Sequence, residues 1–323
     1  MNSSVQKSMK TFFWLVRREF WENKAMLFWL PVALGVGFFL MFLAVEISFK
    51  QVLSEDGFKE IQAIVGYADA TAIRLKSVTH IPSSMARFIL HVLLISSALL
   101  SSGYLFSALH GDRRDRSVLF WKSMPVSDLS QVLAKLVFPL LLTPVLVIVI
   151  GFLSCFLAAF IVAVLSLFGY INWFSTILSN PDLYTLPLTY LSLLPFYMVW
   201  ALPTVGWFLL VSSMASSRVF PWAVGMPIML TLILTFLNGI LKLNLDIVWV
   251  VKNLLARLII ANVPASWVLD LSPPQMALIG PKSLHVIAVD VPWSGASLWL
   301  GAVFGIALIL IATRVRKHAD VLN

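Results

Sequence analysis

Residues 132–165, VLAKLVFPLLLTPVLVIVIGFLSCFLAAFIVAVL, decide the fold. Lys135, near its start, is the run's only charged residue. As one helix at 1.5 Å per residue it is about 50 Å long, against a bilayer core of about 30 Å. It is too long for one upright span and too short for two spans with a turn. Span parity resolves the ambiguity. Counted once, the run makes six spans and returns both termini to one side. Counted twice, it makes seven and sends Arg314, Arg316 and Lys317 to the side opposite the basic N-terminus. The sequence therefore predicts one long helix, bent or loosened at Pro139 and Pro144, that projects beyond the membrane.

The other five apolar runs lie at about residues 27–45, 87–109, 189–214, 219–241 and 295–314, each near the roughly 20 residues that cross a bilayer. The composition agrees: 60% of residues are hydrophobic and 12% charged, where soluble domains carry about 25% charged residues. An all-α integral membrane protein with six transmembrane helices follows.

Charge placement orients the chain. Segments assigned to the inside hold 14 basic and 6 acidic residues, and those outside hold 9 of each. The whole net charge of +8 thus lies on one face, as positive-inside topology requires. Both termini are expected to be cytoplasmic, and the basic balance needs no nucleic acid. The N-terminal segment is long and charged, and no small-residue cleavage site follows the first apolar run, so that run is expected to stay as a span. Cys155 is the sole cysteine, which excludes an intrachain disulfide, and no Cys/His cluster suggests a metal.

Three segments outside the spans carry pattern. In residues 9–24, MKTFFWLVRREFWENK, the spacing of Met9, Phe12, Phe13, Val16 and Phe20 predicts an amphipathic helix. Arg18 and Glu22 fall on its far side, and Arg17 and Lys24 flank the stripe. Such a helix lies among lipid headgroups or packs on a partner. The loop at 46–86 mixes acidic and basic residues and reads as a solvated external segment. In the 242–294 loop, Ile247, Val251, Leu254, Leu255 and Leu258 share a face, with Lys252, Asn253 and Arg257 off it. That segment lies on the outer surface or dips in as a re-entrant element.

The fourth feature is the charged loop after the second span, HGDRRDRSVLFWKSMPVSD at 110–128. Gly111 is a plausible stop for the second span, and Ser127 an N-cap for the third. Between them Val118 to Lys122 has room for a short helix presenting Phe120 and Trp121. Aromatics beside arginines suit a docking element. Topology charge with a tryptophan at headgroup level accounts for the same residues.

Enzyme signatures are missing from the sequence. It has neither the Gly-rich turn with Gly-Lys-Ser/Thr that wraps phosphates nor a His-Glu-x-x-His zinc pattern. The serines at 96, 97, 101, 102, 212 and 213 are of the type that lets spans pack and hydrogen-bond. No carboxylate or cation lies at a span centre, which argues against a proton-driven path. No catalytic, metal-ligating or substrate-path residue is assigned.

Two stretches resemble the membrane subunit of ABC transporters of the type-2 permease family. Residues 18–24, REFWENK, are similar to the amphipathic elbow helix before the first span. Residues 112–136, DRRDRSVLFWKSMPVSDLSQVLAKL, are similar to the loop after the second: an acidic residue, a short helix, a Pro-Val-Ser turn, then a lysine in the third span. Asp112 or Asp115 matches the acidic position, Val118 to Lys122 the coupling helix, Pro125 to Ser127 the turn and Lys135 the basic residue. Arg116-Ser117 stands where Gly-Thr is usual, and Asp128 where Arg is common. The resemblance implies one permease domain over 1–323, with an elbow helix at 9–24, a cytoplasmic coupling loop at 110–131 and an outer loop at 242–294. It implies an exporter subunit in a bacterial cytoplasmic (inner) membrane that pairs with a second permease chain, a homodimer ahead of a heterodimer, within membrane lipid. A separate ABC ATPase subunit would hold ATP and Mg, leaving this chain without a cofactor of its own. Coupling would run through Asp112, Arg113, Arg114, Asp115, Arg116, Val118, Phe120, Trp121 and Lys122. Phe12, Phe13, Val16, Arg17, Arg18, Glu19, Phe20 and Trp21 would form the elbow. A membrane scaffold or sensor that holds a cytoplasmic partner through the same loop is the alternative.

Overall fold

A computed structural model describes residues 3–53, 59, 63, 67–115, 126–167, 178, 180–264, 266–267 and 293–318. Among them every regular element is helical. The main helices are α1 (Ser3–Glu22), α2 (Leu30–Leu53), α3 (Tyr67–Ala108), α4 (His110–Arg114), α5 (Asp128–Val137), α6 (Thr143–Leu167), α7 (Asp182–Ser192), α8 (Leu194–Met214), α9 (Val219–Leu241), α10 (Ile247–Val250), α11 (Arg257–Ile259) and α12 (Ala296–His318). Among the described residues six stretches are long and apolar enough to cross a membrane: Ala25–Ala44, Arg87–Arg114, Asp128–Ile161, Leu194–Met214, Val219–Leu241 and Ala296–His318. The protein is an all-α, multi-pass membrane protein.

The long third stretch is continuous, and its weak point is local. A π-helical turn, Phe138–Leu142, joins α5 to α6 and holds Pro139. Proline lacks the N–H that an α-helical ladder needs, and a widened turn accommodates its ring. Ser127 caps α5 as its position suggests, accepting the Ser130 amide at 3.2 Å. Other boundaries differ from the sequence reading. The second span does not stop at Gly111, which lies inside α4. The Ser212 hydroxyl accepts the Leu109 and His110 amides at 3.2 and 3.0 Å, so the chain there is held by a neighbouring helix and needs no glycine stop. The 46–86 region is largely helical: α2 continues to Leu53, and α3 begins at Tyr67. The fourth span starts at Leu194, with α7 ending separately at Ser192.

The chain forms two compact units. The second unit comprises 28–96 and 145–192. Phe42, Ile89, Leu93, Val147, Ala158 and Ala159 form its core. Gly151 leaves room for neighbouring side chains; a Cβ there would meet Leu90 Cδ1 at 3.0 Å. His91, in the second span, is used in packing. With Nδ1 donating to the Arg87 carbonyl at 2.6 Å, Nε2 accepts the Tyr190 hydroxyl at 2.8 Å.

The first unit comprises 1–27, 97–144 and 193–323. Its axis is the pair α8 and α12. A Cβ on Gly305 would lie 2.5 Å from the Leu202 carbonyl carbon, and one on Gly206 would lie 2.6 Å from the Gly305 oxygen. Lipid tails are as apolar as leucine, so spans associate through close packing and hydrogen bonds, and glycines permit it.

Residues 247–264 of this unit pack against the middle of α8. Thr204, at the middle of α8, donates to the Arg257 carbonyl at 2.7 Å and accepts the Ala261 amide at 3.1 Å. The middle of a 21-residue helix is about 15 Å from either end. Nearby, Asn262 donates to the Ala98 carbonyl and the Ser102 hydroxyl, and Tyr197 donates to the Pro139 and Asn262 carbonyls. Irregular backbone survives at such depth only where protein satisfies its polar groups. Arg257 is the correction here: placed off the apolar face by its spacing, it is 5% exposed. Its guanidinium stacks over Trp200, 3.9 Å from the ring centroid, and fills the space that Gly301 leaves open. Helical spacing misleads because a π-helical turn, Val251–Ala256, interrupts the segment and rotates the residues after it.

Candidate functional site

Where α1, α4, α5 and the end of α12 meet in the first unit, five charged side chains close into one network. α5 presents Asp128, Gln131 and Lys135 at intervals of three and four, one face of a helix. The Lys135 ammonium donates to Glu19 Oε1 of α1 at 2.8 Å and reaches Asp112 Oδ1 of α4 at 3.4 Å. The other Glu19 oxygen accepts the Tyr104 hydroxyl of α3 at 3.0 Å. Arg316, in the last turns of α12, completes the set. Its Nη1 lies 3.1 Å from Asp112 Oδ2, its Nε lies 3.5 Å from Asp128 Oδ1, and its Nη2 donates to the side-chain oxygen Oε1 of Gln131.

Burial makes this arrangement consequential. Glu19 and Lys135 are each 4% exposed and Arg316 is 3%. Exposed ion pairs contribute about 0–1 kcal/mol. Buried ones are different: the desolvation is offset only while every partner stays in place, and removing one leaves a buried charge unpaired. Asp112 bridges both cations, and Arg316 bridges Asp112 to Asp128 with the planar fork that lysine lacks. The network therefore clamps both ends of one loop. Asp112 lies in α4, which ends at Arg114, and Asp128 is the first residue of α5.

The residues that the sequence singled out fall into three groups. Asp112 and Lys135 are in the network. Arg113 turns inward, its guanidinium donating to the Ser213 carbonyl, while His110 bonds the Ala215 carbonyl at 3.1 Å. Arg114 and Asp115 are exposed and pair with each other at 3.2 Å. Arg116, Val118, Phe120, Trp121 and Lys122, with the coupling helix and Pro125, lie outside the described residues.

The elbow is a helix over Ser3–Glu22, but its apolar stripe is not one surface. Leu15 is buried against Ala134 of α5, with Phe12, Val16 and Val126 around them. Phe20 is half-buried, whereas Met9 and Phe13 are 60% and 65% exposed. The face that packs is centred on Leu15 and Glu19. A carboxylate on a packing face is unreadable from hydrophobic spacing; it is buried because Lys135 and Tyr104 occupy both its oxygens. Arg18 pairs with Glu22 one turn on. Glu19, Gln131, Asp128, Tyr104 and Arg316 are thus the members that sequence reasoning did not join. The one available signal was a run of polar residues at 128, 131 and 135 opening an otherwise apolar helix.

Comparison with known protein families, with curated proteins and with solved structures found no match for this chain.

Proposed function

We propose that this chain is the membrane-spanning subunit of an ATP-driven ABC exporter of the type-2 permease kind, seated in a bacterial cytoplasmic membrane with both termini cytoplasmic. A separate ATPase subunit docks on the 112–128 loop, and a second permease chain completes the substrate path. One observation carries the reading: both ends of that loop are held in a buried ion network shared by α1, α4, α5 and α12. A docking loop that only tethered a partner would need no such anchorage. Displacement of a clamped loop reaches the elbow helix and three spans together. ATP binding on the partner shifts the permease equilibrium by favouring one arrangement of that clamp. The exposed Arg114 and Asp115, followed by Phe120 and Trp121, are the groups offered to the partner. Arg113 serves the fold through Ser213.

The test is co-expression with an ATPase subunit encoded beside this chain. The pair is expected to co-purify, to hydrolyse ATP and to drive export from vesicles. Arg114→Glu with Trp121→Ala should separate the pair while the permease remains folded in the membrane. An intact pair with unchanged ATPase activity in that variant refutes the docking role. Pairing without ATP-driven export assigns the chain to the scaffold class instead.

A further inference from the structure

Away from its contact with α5, α1 is exposed among the described residues. It shows Met9, Phe13, Trp14 and Trp21, between 56% and 65% exposed, interleaved with the exposed cations Lys10 and Arg17, with exposed Lys24 two residues past its end. Two of the cations are stacked on the tryptophans: Arg17 lies 5.0 Å from the centroid of the Trp14 ring, and Lys24 lies 5.5 Å from that of Trp21. The helix's acidic residues are elsewhere. Glu19 is buried in the ion network, and Glu22 is paired with Arg18. Among the described residues no carboxylate pairs with Lys10, Arg17 or Lys24. The first membrane span, Ala25–Ala44, begins three residues after α1 ends at Glu22, which keeps this face within reach of the headgroups.

We infer that this outward face of α1 is a binding surface for anionic phospholipid headgroups. Tryptophan side chains settle at headgroup level, where the ring is apolar and the indole N–H remains wet. Basic side chains beside them attract the negative charge of an anionic leaflet and fall silent beyond a Debye length. Stacking on an indole holds each cation at that surface, next to the ring the lipid covers. A protein partner is less well matched, because a face mixing three unpaired cations with four exposed apolar side chains suits phosphate above and acyl chain below. The consequence reaches the network. The same helix carries lipid contacts on one side and Glu19 on the other, so anionic lipid fixes the elbow against Lys135. This inference needs only a membrane-spanning chain and stands apart from the export reading.

The experiment uses the full chain with Cys155→Ala and a fluorophore on Met9→Cys, in bilayers of equal phosphatidylcholine and phosphatidylglycerol. A nitroxide near the top of the acyl chain is placed on one lipid or the other. Stronger quenching by the phosphatidylglycerol form is expected, corresponding to a local enrichment of roughly two- to fivefold. That preference should vanish in Lys10→Gln/Arg17→Gln/Lys24→Gln and decline as salt is raised on the unaltered face. Arg18→Gln/Glu22→Gln, on the neighbouring face, should leave it intact. Equal quenching by both lipids, or a preference insensitive to salt, overturns the inference. Absence of quenching by either lipid also overturns it and gives the face to a protein. The salt series needs no substituted cation, so a poorly folded triple variant does not remove the test.

Discussion

Lys135 is the residue on which the site turns. Its ammonium is 5% exposed as a side chain and stands between Glu19 and Asp112. Lys135→Met keeps the length and apolar stem but strips both carboxylates of a partner. Its expected cost is about 3–5 kcal/mol, from the two acids left buried. Glu19→Gln with Lys135→Met should lose less than the sum of the single changes by about 1–3 kcal/mol, since each change removes what the other lacks. Thermal unfolding of the purified chain in detergent checks both. Strict additivity would show that the two groups do not interact. Asp112 and Lys135 were legible beforehand because a local pattern flanks the loop. Arg316 was not. It reads as a topology charge at a chain end, and its contacts with Asp112, Asp128 and Gln131 exist only once the last helix has packed. Sequence spacing within one helix carries no information on such long-range closure.

The segment 247–264, packed on α8, shows the same division at the level of helices. Six spans are readable because membrane thickness sets a minimum apolar length, and the Ser127 cap is readable because capping is local. The depth of 247–264 is not, since it depends on polar side chains of other helices offering partners to irregular backbone. Thr204 is the decisive one, donating to Arg257 and accepting from Ala261. Thr204→Val is nearly isosteric and removes both bonds, leaving an amide and a carbonyl in an apolar surround. A loss of about 2 kcal/mol is expected. With Cys155→Ala and Val263→Cys as reporter, maleimide labelling in detergent should accelerate in Thr204→Val and return to its original rate in Thr204→Ser. An unchanged rate in the valine variant would mean that Asn262 and Tyr197 hold the element without Thr204.

At the scale of the whole molecule, two independent observations bear on span parity. The net charge concentrates in the segments assigned to one side. Separately, Glu19 before the first span and Arg316 at the end of the last both reach polar side chains in the first turns of α5. Segments that flank the spans and meet at one helix end are separated by an even number of crossings, and six satisfies this. The charge bias predicts that they face the cytoplasm, because basic segments resist translocation. With Cys155→Ala as background, single cysteines at Met9, Leu243 and Lys317 test the prediction. In intact cells a membrane-impermeant maleimide should label Leu243→Cys and spare the other two; in inside-out vesicles the pattern should reverse. One terminal position labelled together with Leu243→Cys in cells would break the even count. Both labelled while Leu243→Cys stays protected would keep the count and invert the orientation, placing the 112–128 loop beyond the reach of a cytoplasmic ATPase.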